Sequence, residues 1–211
     1  MLLAIDTSTG TSVAVVDRDR ATGELRCLAE TGTDDTMRHA EVIGGFIRDA
    51  LAESGIDRRE LSGVAAGMGP GPFTGLRVGI AAAHAFALGL DRPFVPVVSH
   101  DAIAWSRYTA GDEGPLQVVT DARRREFAVS DYDGLDGDGL PVRVGGPGLV
   151  PRDEVPSARG IRFDASIVSA ASIGMLAELA FAAGRLPLAA DAPVYLRAPD
   201  VTPSAGKKVL R

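Results

Sequence analysis

Two short stretches carry residue types suited to phosphate chemistry. In "AIDTSTG" an apolar run ends at Asp6 and continues through Thr7, Ser8 and Thr9. A carboxylate there suits hydrated Mg²⁺, and hydroxyls with turn amides suit phosphate oxygens. The second stretch, "GMGPGPFTGLRVG" (residues 67 to 79), has five glycines and two prolines in thirteen positions before a helical pattern. Glycine loops at helix starts often cradle phosphate, but no Gly-Lys-Ser/Thr follows, so this is not a Walker loop. Gly75, Gly79, Ala83 and Ala87 fall every fourth residue and leave one helix face almost bare. Glycine inside a helix costs about 1 kcal/mol relative to alanine, so another backbone is expected close by. That backbone belongs either to the domain's own sheet or to a helix of another chain. Leu76, Arg77, Ile80 and His84 lie on neighbouring faces. Pro70 and Pro72 are expected to stiffen the turn, with Thr74 or Gly75 as the helix cap. An anion site at the helix start stays open.

Other chemistries lack their parts. The histidines are His39, His84 and His100, and no two have a helical ligand spacing. His39 and Glu41, at i and i+2, point to different faces, so no metal centre is expected. Cys27 stands alone, which excludes an internal disulfide. No GxSxG elbow is present, and nothing ties Ser, His and Asp into a triad. The net charge is −6 and the longest basic run is Arg123-Arg124-Arg125, which speaks against nucleic-acid binding by this chain alone. The N-terminus has no basic leader, and the apolar run "VGIAAAHAFALGL" reads as too short for a bilayer. A soluble cytoplasmic protein without a membrane partner is expected.

The elements that must position these residues follow from periodicity. "LLAIDTS", "TSVAVVD" and "GELRCLAET" read as a meander of strands. Residues 36 to 53 place Met37, Ala40, Ile43, Ile47 and Leu51 at helical spacing, with Thr36 as cap and a small patch at Gly44-Gly45. "SGVAAGMG" reads as a buried strand, 74 to 90 as a helix, "FVPVVS" as a strand, and "HDAIAWSRYTA" as a helix capped by Ser99. Then the pattern recurs. "LQVVTDARRREFAVSDYD" repeats the outline of "LLAIDTSTGTSVAVVDRD", and Asp121 stands where Asp6 does, 115 residues on. A repeated unit of this size predicts two related α/β halves, 1–98 and 99–211. The second continues through "GGPGLVPRDEV", as loop or strand, a helix at 166 to 184, and an extended tail with a basic end at Lys207-Lys208.

"AIDTS", "GPGPFTGLRVG", "TDARRREF" and "YLRAPDVT" stand in an order that resembles the bacterial TsaB (YeaZ) family over nearly the whole chain. The resemblance implies an actin-like, sugar-kinase-like and chaperone-ATPase-like fold of two ribonuclease-H-type halves. It implies a scaffold or dimerization subunit, not itself a catalyst, that pairs with a TsaD-type homologue and a TsaE-type ATPase to make threonylcarbamoyladenosine in tRNA. The alternatives are a small ATPase or phosphotransferase of that fold and, last, a glycoprotease-like peptidase. The free chain is left open as monomer or homodimer, and tRNA is reached only through the complex. The implied interface is Met37, Ala40, Ile43, Gly44, Ile47 and Leu51 with Gly75, Leu76, Arg77, Gly79, Ile80, Ala83, His84 and Ala87. In that fold Asp6, Thr7, Ser8, Thr9 and Asp121 would face a nucleotide. Here arginines follow Asp121 where a phosphate loop wants glycine, so the chain is expected to have no cofactor of its own, with ATP or ADP and Mg²⁺ in the complex.

Overall fold

The computed structural model describes residues 1–197. Its elements run β1 Leu2–Asp6, β2 Thr11–Arg18, β3 Leu25–Thr33, α1 His39–Ser54, β4 Gly63–Gly67, α2 Phe73–Leu90, β5 Phe94–Val97 and α3 Ser99–Thr109. The second half adds β6 Leu116–Asp121, β7 Glu126–Leu135, β8 Pro141–Pro151, β9 Ile161–Ala165 and α4 Ala170–Ala182. The first sheet has the order β3-β2-β1-β4-β5 and the second β8-β7-β6-β9. This is a mixed α/β architecture with two sheets.

The repeat extends to register. β1 and β2 are antiparallel with Asp6 opposite Ser12, and β6 and β7 are antiparallel with Asp121 opposite Phe127. Each aspartate therefore faces a residue six positions on. β1 also pairs in parallel with β4, as β6 does with β9.

β1 and β4 are buried on both faces, so their sequences are continuous apolar runs without alternation. Leu3, Ile5, Val13, Val15, Val64 and Ala66 pack beneath Ile43 and Ala50 of α1 and Leu76, Ile80, Ala83 and Ala87 of α2. The opposite face, with Leu2, Ala4, Ala14, Val16 and Ala65, joins a core that holds α3, α4 and the inner face of the second sheet. α4, from the second half of the chain, lies on the first sheet, while α3 packs on the second. His100, in the first turn of α3, ties that helix to the second sheet. Its ring nitrogens lie 2.8 Å from Ser130 Oγ and 2.9 Å from Thr120 Oγ1. Complete burial pushes its pKa down to about 3, with the positive charge of Arg143 acting in the same direction.

Several local expectations are corrected. α1 starts at His39 after Arg38, and Thr36 instead accepts a hydrogen bond from the Arg123 guanidinium. α2 starts at Phe73 after Pro72, so neither Thr74 nor Gly75 caps it. Ser99 is the first residue of α3 and bonds to Asp6 rather than to its own helix. The last helix is Ala170–Ala182, capped by Ser169, whose Oγ accepts from Ser172 N. "GGPGLVP", expected as loop or strand, is part of strand β8, and β9 is a strand that periodicity did not indicate. α2 has 18 residues and a mean hydropathy of 1.4, long and apolar enough to cross a membrane, where a run too short for a bilayer was expected. One face of α2 is packed into the domain core. The basic end, Lys207-Lys208, lies outside the described residues.

Candidate functional site

The turn after Asp6 is closed by its own chain. Asp6 Oδ1 accepts from Ser8 N at 2.8 Å and from Ser8 Oγ at 2.6 Å. Oδ2 accepts from Ser99 Oγ at 2.6 Å, and that hydroxyl oxygen accepts from Gly69 N at 3.1 Å. Thr7 Oγ1 donates to the Gly75 carbonyl at 2.8 Å, and Thr9 Oγ1 accepts from Val168 N at 3.0 Å. Asp6, Thr7 and Ser8 are each 1% exposed, so the turn is covered by its own domain. Burial pushes the Asp6 carboxyl above its ordinary value, opposed by the Ser8 and Ser99 hydroxyls and the Ser8 N–H.

The glycines of 67–79 explain the closure. A methyl group on Gly67 would sit 1.8 Å from Asp6 Oδ2. One on Gly71 would meet Ser8 O at 2.5 Å, and one on Gly79 would meet Thr7 Oγ1 at 2.1 Å. One on Gly75 would meet Thr7 O at 2.8 Å and His39 Nε2 at 2.9 Å. The loop and the first turns of α2 thus press on the Asp6 turn at van der Waals distance, which only glycine permits. The close backbone is the domain's own.

This corrects the face assigned to α2. Gly75, Leu76, Gly79, Ile80, Ala83 and Ala87, with Ile43 of α1, are buried in their own domain. Arg77 and His84 are engaged by the segment that follows α4. Arg77 Nε donates to Tyr195 Oη at 3.1 Å, and His84 Nε2 lies 2.9 Å from Asp191 Oδ1. Ile47 and Leu51 are half-buried, packed at the edge of the core. The outer surfaces of the two helices present Ala40 and Gly44 on α1 and Ala81, Ala85 and Leu88 on α2, with Met37 just ahead of α1. Met37 is 87% and Leu88 83% exposed, large apolar side chains with little packed against them. Ala81, Ala85 and Leu88 were not singled out in the sequence. Their signal was the second period of the same helix, i, i+4 and i+7, on the face opposite the glycines.

The second hairpin is open. Asp121 is exposed, and its Oδ1 accepts from Arg123 N at 2.8 Å and from Arg152 Nη2 at 2.8 Å. Partial burial acts to raise its carboxyl, but the Arg123 N–H and the Arg152 charge outweigh that and hold it below its ordinary value. Arg123, Arg124 and Arg125 have φ of 64°, 53° and 61°, three consecutive side-chain-bearing residues in the left-handed region. A cleft of about 410 Å³ lies between this hairpin, the Pro70–Thr74 loop and residues 195–197. Asp6 does not line it. The structure therefore does not join the five residues expected around a nucleotide: Asp6, Thr7, Ser8 and Thr9 belong to the closed turn, and Asp121 to the open cleft.

Both Asp6 oxygens already accept hydrogen bonds from protein donors, and a desolvated carboxyl of raised pKa is a poor partner for hydrated Mg²⁺. The residues present do not fit a metal–nucleotide complex at Asp6. Among the described residues, no group of three or more His, Cys, Asp or Glu side chains is placed to hold a metal.

The sequence model of TsaD, tRNA N6-adenosine threonylcarbamoyltransferase, matches residues 34–139. An uncharacterized protein of Mycobacterium tuberculosis is 37% identical over 97% of this chain and 95% of its own length. The tRNA threonylcarbamoyladenosine biosynthesis protein TsaB of Haemophilus influenzae is 35% identical over 61% of this chain and 52% of its own. The fold is that of YeaZ from Pseudomonas aeruginosa, with a TM-score of 0.74 at 24% identity over 92% of this chain and 99% of that one. The chain belongs to the TsaB (YeaZ) family.

Proposed function

We propose that this chain is a non-catalytic scaffold subunit in threonylcarbamoyladenosine formation on tRNA, pairing with a TsaD-type catalytic homologue. The observation that carries this reading is the outer ridge of α1 and α2. Ala40, Gly44, Ala81 and Ala85 let a partner helix approach closely, and Met37 and Leu88 supply apolar area that the chain itself leaves bare. Two partner helices laid on this ridge would complete a four-helix packing layer. The residues beneath, Gly75, Leu76, Gly79, Ile80, Ala83 and Ala87, hold the ridge in place from the core side. The closed Asp6 turn supports a role without nucleotide turnover by this chain. ATP or ADP with Mg²⁺ is assigned to the complex, as are the TsaE-type ATPase and tRNA, which suits a chain of net charge −6.

The test is light scattering on a size-exclusion column with the TsaD-type protein, using wild type and Leu88→Glu. The expected result is a stable complex for wild type and at least a tenfold weaker one for Leu88→Glu, with the monomer folded. Equal association of both proteins would overturn the ridge assignment, and a wild-type chain that pairs only with itself would overturn the partner.

A further inference from the structure

Residues 191–197 run along the flank of α2 and then cross to the second half. Asp191 pairs with His84. Val194 N donates to the Met68 carbonyl at 2.7 Å, and the Val194 side chain packs against the core under α1 and α2. The Tyr195 ring lies 4.7 Å from that of Phe73, and the Arg77 guanidinium sits 3.8 Å from the Phe73 centroid. All four anchors belong to the first half. Two residues on, Arg197 reaches the second half. It donates to the carbonyls of Ala122 at 3.2 Å and Arg123 at 3.5 Å, and forms an ion pair with Glu126.

The carbonyls that Arg197 holds belong to the arginine hairpin. Left-handed backbone at a residue with a side chain costs on the order of 1 kcal/mol each, and such a conformation persists only where its surroundings fix it. The hairpin's other fixed points are Ala122 N to Glu126 O at 3.1 Å, Glu126 N to Arg123 O at 3.0 Å, Arg152 N to Arg125 O at 2.9 Å and Arg123 N to Asp121 Oδ1 at 2.8 Å, with the Arg123 guanidinium bonded to Thr36. Arg197 is the contact that reaches the hairpin from the strap, and Tyr195, Leu196 and Arg197 also form a wall of the 410 Å³ cleft.

We infer that Asp191–Arg197 is a clasp: anchored on α2, it holds the arginine hairpin in its left-handed conformation and fixes the width of the cleft between the halves. This stands apart from the partner assignment, because it concerns the isolated chain. A clasp differs from a set of local contacts in one respect. Loosening its α2 end must loosen the hairpin, which Tyr195 does not touch through any of the bonds above.

Hydrogen exchange on the full chain tests this, read at the amides of Ala122, Glu126 and Arg152. Arg197→Ala is expected to speed exchange there by tenfold or more. Tyr195→Ala is expected to do the same by at least fivefold, with α3 and α4 amides unchanged and Tyr195→Phe within twofold of wild type. The exposed Asp191→Asn, which cannot unfold the core, is expected to give a smaller change of the same sign, about twofold. Unchanged exchange at the hairpin in both Tyr195→Ala and Asp191→Asn would overturn the clasp, whatever Arg197→Ala does.

Discussion

Asp6 and Asp121 occupy the same place in two copies of one unit, yet their environments have diverged. Each ends the first strand of a hairpin, faces a residue six positions on, and accepts a hydrogen bond from the backbone N–H two residues later at 2.8 Å. Asp6 is then covered by a glycine loop and the start of α2, and burial raises its pKa. Asp121 stays in solvent beside Arg123 and Arg152, and its pKa is lowered. The shared feature is local, an Asx turn at a strand end. The difference comes from what packs on the turn. Glycines at 67, 71, 75 and 79 let one hairpin be sealed, and arginines at 123–125 leave the other splayed open. An inherited aspartate is thus a structural residue in one half and half of a surface ion pair in the other.

Substitutions can break or sharpen this contrast, and the largest effect is expected at Gly67. Its added methyl would overlap a buried carboxylate oxygen that cannot yield, so Gly67→Ala should cost more than about 3 kcal/mol. Gly148→Ala in β8, where an added methyl meets open space, should change urea-measured stability by less than about 0.5 kcal/mol. Equal losses at the two sites would remove the distinction between a packed and an open hairpin.

The packing of α3 on the second sheet offers a pH test. His100 is neutral in the fold down to about pH 3 and titrates near 6.5 when unfolded. Below pH 6.5 the unfolded chain binds a proton that the folded chain does not. Stability is therefore complete above that pH and falls as pH drops, by about 1.4 kcal/mol per unit from this group. In His100→Gln the slope of unfolding free energy between pH 6 and 4 should be shallower by about one proton. An unchanged slope would show that His100 is not held neutral.

Smaller effects separate the two carboxylates themselves. Ser99→Ala removes the donor to Asp6 Oδ2 and leaves a buried oxygen unpaired, at about 1–3 kcal/mol. Arg152→Ala removes the corresponding support of Asp121, but both side chains are nearly half exposed and the loss should stay below about 1 kcal/mol. Chemical denaturation of the two variants side by side gives the comparison, and a larger loss for Arg152→Ala would reverse it.

Much of this was legible in the sequence, and the failures have physical causes. The repeat was visible because a strand ending in Asp before a polar turn is a local pattern. The glycine spacing on α2 announced a close backbone approach, but spacing carries no information about which backbone approaches. Thr7, which Gly79 touches, lies on another element. The stripe of Gly75, Gly79, Ala83 and Ala87 is therefore buried in its own domain, while Met37, Ala40 and Gly44, expected at the same interface, are exposed. Ala81, Ala85 and Leu88 lie on the opposite face of α2, where small residues give little sequence signal. α4 is apolar almost all round, so its pattern gave no side and did not foretell that it returns to the first sheet. β9, "IRFDA", is short and half polar. The segment at 191–197 has no regular structure, so its role as a strap depends on contacts that periodicity does not encode.

The central claim is that the Asp6 hairpin is filled by the chain's own loop. Isothermal titration calorimetry of the isolated chain with Mg-ATP, followed by an assay for released phosphate, tests it most directly. The expected result is no binding tighter than about 1 mM, or about −4 kcal/mol, and no phosphate release. Micromolar binding with turnover, lost in Asp6→Asn, would contradict it.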